Sequence, residues 1–193
     1  MEFAQFDRVW RNLAQEDVVT LTGDSPGDVE HLQMDYHEDR TAYRMVFGAK
    51  DGHVPDVEDA DTLSIPREKA GEWILGLLHK LHIAPMFIFP IGRWRNLIEA
   101  VSPILSENET WMEIDSAATI RLKNRDPLEC DIHEFGTMQI LIDTILEHTE
   151  GLAQGISLAA ANAPLLIEID PENGVLITTG NELLAGEIKL LGE

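Results

Sequence analysis

Positive charge is in short supply in this chain. Fourteen lysines and arginines stand against 35 aspartates and glutamates in 193 residues, a formal net charge of −21. Such a surface repels phosphate backbones and anionic bilayers, so neither direct nucleic-acid binding nor membrane binding is expected. The same field favours basic partners, and adaptation to a saline environment is the other cause that selects an acidic surface. Cysteine is scarcer still. A single Cys130 excludes an intrachain disulfide and suits a reducing compartment. No window approaches the roughly 20 apolar residues of a membrane-spanning helix. The opening MEFAQFDRVW has no basic segment leading into an apolar one, so it does not read as a signal peptide. The expected setting is cytoplasmic. A phosphate-binding glycine loop, a nucleophile elbow and a dinucleotide fingerprint are also missing. No cofactor is therefore expected, and the reading leans away from an enzyme.

What is present supports a core, since 44% of the residues are hydrophobic. Phe3, Phe6, Trp10 and Leu13 recur at helical spacing and predict an opening helix, followed by a short strand around Val18 to Thr22. Apolar residues alternate in VEHLQMDYH and RTAYRMVF, and a tight turn at Glu38-Asp39 would pair Met34 with Tyr43 and Leu32 with Met45. Residues 49–61 are polar and acidic, and read as a loop. Ser64 and Pro66 then mark a helix start, with Ala70, Trp73, Ile74, Leu77, Leu78 and Leu81 as its buried stripe.

Met86-Phe87-Ile88-Phe89 is a short apolar run suited to a strand covered on both faces, and Trp94, Leu97, Ile98 and Val101 predict the next helix. Alternation in WMEID, AATIRLK and PLECDIH predicts three strands, with Met112, Ile114, Ile120, Leu122, Leu128, Cys130 and Ile132 inward. Phe135, Met138, Leu141, Ile142 and Ile145 predict a helix stopped at Gly151, and the small-residue segment LAQGISLAAANA predicts another. LLIEIDPENGVLITT reads as a hairpin and NELLAGEIKLL as a closing helix.

An Ala-Pro step occurs twice, at Ala84-Pro85 and Ala163-Pro164, each read as leaving a helix for a buried strand. The expected fold class is therefore α+β: mainly antiparallel sheets packed against helices, in two pseudo-repeated halves, 1–91 and 92–193. No linker separates them, so one compact unit is expected.

Several side-chain groups invite a chemical reading. Arg93, Trp94 and Arg95 stand at the expected start of a helix, where two guanidinium groups could hold a phosphate or carboxylate. The plainer account buries Trp94 and pairs both arginines with local acids. His79 and His82 lie one turn apart and are weak metal candidates, since no HExxH pattern or suitable carboxylate accompanies them. Cys130 and His133 are three apart, but strand alternation turns them to opposite faces, and a zinc site needs about four ligands. His31, Asp35 and His37 share a strand face, which solvent exposure explains. Asp56, Glu58, Asp59 and Asp61 lack the ligand spacing of a calcium loop. Arg121 would balance Glu129 across the expected hairpin.

The order helix, three strands, helix, two strands, helix over residues 92–191 resembles the type III secretion chaperone fold. The first-half hairpin followed by SIPREKAGEWILGLLHKL is similar to the bacterial sensory-transduction-regulator-like proteins. The resemblance implies a partner-binding, dimer-forming protein without catalysis. The leading expectation is a non-enzymatic module, chaperone-like or adaptor-like, that binds a basic or partly unfolded polypeptide. The alternatives are a small-anion sensor or enzyme using Arg93 and Arg95, with His79 or His82 nearby, and an inhibitor or immunity-type protein that masks a basic partner. A homodimer is expected to cover Met86-Phe87-Ile88-Phe89 if the sheet does not.

Overall fold

The computed structural model describes residues 1–15, 19–22, 33–36, 41–50, 57–121, 126–147 and 154–192. The chain is an α+β protein. It opens with β1 (Glu2–Phe3) and α1 (Phe6–Gln15), then β2 (Val19–Thr22), β3 (Gln33–Tyr36), β4 (Tyr43–Phe47) and β5 (Ala60–Thr62). A 3-10 turn (Arg67–Lys69) leads into α2 (Ala70–Lys80), β6 (Met86–Pro90), α3 (Trp94–Val101) and α4 (Glu109–Arg121). β7 (Leu128–Cys130), a second 3-10 turn (Ile132–Glu134) and α5 (Phe135–Glu147) follow. The chain then runs through β8 (Ile156–Ala160), β9 (Leu165–Asp170), β10 (Gly174–Thr179) and α6 (Glu182–Gly192).

Eight strands form one sheet in the order β1-β7-β6-β8-β9-β10-β4-β5, while β2 and β3 pair separately. Every described pairing in the large sheet is antiparallel except β4 with β5. β6 is interior, with Met86 opposite both Cys130 of β7 and Ala160 of β8. Its residues are buried throughout, as an apolar run with no polar alternation requires. Met86 and Ile88 enter the larger core, which the sheet shares with α2, α3, α4, α5 and α6. Phe87 and Phe89 point the other way, into a smaller cluster under α1 with Ala4, Val9, Leu13, Ala159 and Leu166.

The helices read from apolar spacing stand where expected. In α2, Ala70, Ile74, Leu77 and Leu78 are buried, with Trp73 and Leu81 partly so. Every residue expected inward in α3 and α5 is buried, and α5 buries Thr144 and Leu146 as well. Several expectations are corrected. The segment 109–121 is the helix α4, not two strands. Trp111, Ile114 and Ala118 are buried at helical spacing, the Asn108 side chain accepts from the Trp111 amide, and the Trp111 indole donates to Ser102. Met112, expected inward, is 41% exposed.

ISLAA is the buried strand β8 rather than a helix. Two-sided packing in the sheet centre favours small side chains, and a Cβ at the preceding Gly155 would meet the Ile169 carbonyl oxygen at 1.8 Å. β3 pairs with β2, not β4: Met34 lies opposite Leu21, and Tyr43 opposite Thr179 of β10. The expected loop 49–61 contributes residues to β5, which lies parallel to β4. Phe3 belongs to β1, and Ile132 to a 3-10 turn. The Glu38-Asp39 turn, Leu32, Leu122 and Gly151 lie outside the described residues.

Both Ala-Pro steps open a strand, β6 and β9, but only the first follows a helix. The second follows β8, and β6 lies between strands from the other half of the sequence. The expected repeat of a helix-to-strand junction is therefore not present.

Candidate functional site

The two groups proposed to share an anion site lie at opposite ends of β6. Arg93, Trp94 and Arg95 follow its last residue, and His79 and His82 precede its first. Five strand residues alone span about 16 Å at ~3.3 Å each. At one end, Trp94 is buried, donates its indole N–H to the Asp126 carbonyl at 2.9 Å, and meets Phe3 edge-on at 5.6 Å. Arg95 is exposed and donates to Glu99 at 2.7 Å, one turn along α3. Hydrogen bonding to Glu99, then its charge, raises the guanidinium pKa. Arg93 is the N-cap residue of α3, and Gln154 clamps its backbone by accepting from its amide and donating to its carbonyl. The left-handed φ of +109° at Gly92 suits this clamp, where a Cβ would approach the Gln154 side chain at 2.9 Å.

At the other end, the His79 ring packs edge-on against Phe135 at 5.2 Å, and the His82 carbonyl accepts from Asn162. Among the described residues no group of His, Cys, Asp and Glu converges as a metal site. Cys130 is buried facing the larger core, while His133 is exposed. Burial pushes the Cys130 thiol up to about 12, so it holds almost no thiolate at neutral pH. Glu129 pairs with Arg8 of α1 at 2.9 Å, and the side chain of Arg121 lies outside the described residues. His31, His37 and Asp56 lie outside the described residues, and Glu58, Asp59 and Asp61 are exposed.

Several of the described cations are engaged by neighbours in the fold. Arg8, Lys50, Lys69, Arg95 and Lys189 each pair with a carboxylate. Arg11 donates to the Asp7 carbonyl, and Arg67 to the carbonyls of Leu146, Gly48 and Pro171. The five ion pairs cancel as many carboxylates as cations, so the field left on the surface is that of the surplus carboxylates.

One surface was missed in the sequence. On α6, Ala185 and Ile188 are buried and Leu184 and Leu191 are packed against the core. Leu183 and Leu190 fall off that stripe and are 82% and 69% exposed, far above any other large exposed hydrophobic residue described. At 100° per residue the two are about 20° apart on the helix, roughly opposite the buried stripe. The signal was available: the five large apolar residues in ELLAGEIKLL cannot all share one helical face.

No helix among the described residues is long and apolar enough to cross a membrane. No protein-family model, curated protein or solved structure matches the chain. The element order of 92–191 also departs from that of the type III secretion chaperones, because a helix and one strand replace the expected three-strand meander.

Proposed function

We propose that this chain is a non-enzymatic polypeptide-binding module, chaperone-like or adaptor-like, whose acidic exterior engages a basic or partly unfolded partner. The observation that carries the reading is the net charge of −21, with Arg8, Lys50, Lys69, Arg95 and Lys189 already paired to carboxylates. Long-range attraction then acts on cationic partners alone, raising encounter rates and selecting against acidic ones. The inert Cys130 and the separation of the arginines from the histidines add support, since neither leaves a nucleophile or paired acid and base in one place.

Fluorescence anisotropy with an unstructured Lys- and Leu-containing peptide tests the reading. Binding is expected at 50 mM NaCl, weakening at least tenfold by 500 mM. An otherwise identical peptide with glutamate for lysine should not bind. Absence of binding at low salt, or equal binding of the acidic peptide, defeats the proposal.

A further inference from the structure

The exposed face of α6 has the form of a docking ridge. Leu183 and Leu190 stand seven residues apart, about 10.5 Å along the axis at 1.5 Å per residue. Between them lies Gly186, where a Cβ would meet nothing within 4 Å, so the ridge carries a notch open to solvent. Two exposed leucines flanking a glycine let an apolar side chain of a second helix sit between them, as ridge-and-groove packing requires. Glu182 and Glu187 are exposed beside the leucines, and the one basic residue of α6, Lys189, is paired with Asp61.

Charge decides what the face accepts. A second copy would bring the same glutamates, and a further −21, against this surface. A helix with lysine or arginine beside its apolar stripe meets complementary charge on the same ridge.

We infer that the Leu183–Gly186–Leu190 face of α6 docks a basic amphipathic helix, with one large apolar side chain of that helix seated in the Gly186 notch. This rests on the polypeptide-binding reading and assigns that binding its site and its partner's conformation. The partner carries apolar residues at i, i+3 or i+4, and i+7, with cationic residues on either side.

The probe is a synthetic 18-residue helical peptide of leucine and lysine in that pattern, titrated into the full chain at 100 mM NaCl. Leu183→Ser/Leu190→Ser should weaken binding at least tenfold while leaving the net charge unchanged and the fold intact, with only the small fall in melting temperature that serine's lower helix propensity brings, because both side chains are exposed. Gly186→Leu should fill the notch and weaken binding about fivefold, while raising the melting temperature through better helix propensity. Glu182→Gln/Glu187→Gln should weaken binding about threefold and flatten its salt dependence.

Equal binding by the wild-type chain and the double-serine variant overturns the site but leaves the polypeptide-binding reading standing. Failure of the helical peptide alongside binding of the unstructured one also overturns it. A wild-type dimer that the serine variant dissolves assigns the face to a second copy instead. No binding of either peptide defeats both readings.

Discussion

Arg67 illustrates how single residues hold this fold. It sits in the 3-10 turn before α2, and its guanidinium donates to Leu146 at the end of α5, to Gly48 after β4 and to Pro171 in the β9–β10 turn. One planar side chain thus satisfies carbonyls from three elements, including an end of α5 that no intrahelical amide reaches. Arg67→Ala should lower the unfolding free energy by about 2–4 kcal/mol in urea titrations, since charged hydrogen bonds are lost and half-buried acceptors are left behind. Arg67→Lys should recover less than half, because an ammonium cannot reproduce the fork. Cys130 gives a second test at this scale. With its thiol pushed up to about 12 by burial, maleimide labelling at pH 8 should run at least ~100-fold slower in the native protein than in urea. Comparable rates would contradict the placement of β7.

Between elements, α2 packs against α5 more extensively than any other pair of described α-helices does. The Asp143 carboxylate lies against the Gly71 backbone, and a Cβ at Gly71 would lie 2.1 Å from its Oδ1. Gly71→Ala should therefore destabilise the protein, while Gly76→Ala, in open space on the exposed side of the same helix, should stabilise it by about 0.5–1 kcal/mol. Thermal melts of the pair separate helix propensity from packing. Asp143 also links stability to pH. Burial raises its pKa, with smaller upward contributions from Glu147 and Glu72, and the Gln139 and Gly71 hydrogen bonds oppose it. The folded state therefore holds this proton more tightly than the unfolded chain. Stability falls as pH rises from the unfolded value, about 3.9, through the higher folded value. Asp143→Asn removes that loss. It should raise the melting temperature at pH 7, have little effect near pH 3, and weaken the pH dependence between. A variant less stable than wild type at pH 7 would show that the charge itself is needed at the α2 N-terminus.

At the scale of the whole molecule, the −21 charge opposes compaction through self-repulsion. Salt screens such interactions over ~8 Å at physiological strength. The melting temperature should rise by several degrees between 10 and 500 mM NaCl, and a flat response would mean that the surplus carboxylates are already compensated. β6 is covered on both faces within the sheet, so its apolar run supplies no reason for a dimer. The face of α6 is where association with another polypeptide is tested.

The sequence by itself determined the composition of the surface, the α+β class and the inward faces of α2, α3 and α5. These follow from local periodicity, which each segment carries within itself. Met86-Phe87-Ile88-Phe89 announced a two-sided strand for the same reason. Only the tertiary structure decided which strands pair, because backbone hydrogen bonds carry no side-chain identity: β4 joins β10, across more than a hundred residues, rather than its neighbour β3. It also decided the segments that fit either period. In α4, Met112 and Ile114 alternate like a strand, yet Trp111, Ile114 and Ala118 meet the core as a helix. In β8, small side chains would suit a helix, but the close approach of β9 at Gly155 and burial on both faces suit a strand. The site followed the same division. Trp94 was legible as a core residue from its spacing. The distance between Arg93 and His82 was not, because it depends on β6 running straight through the middle of the sheet.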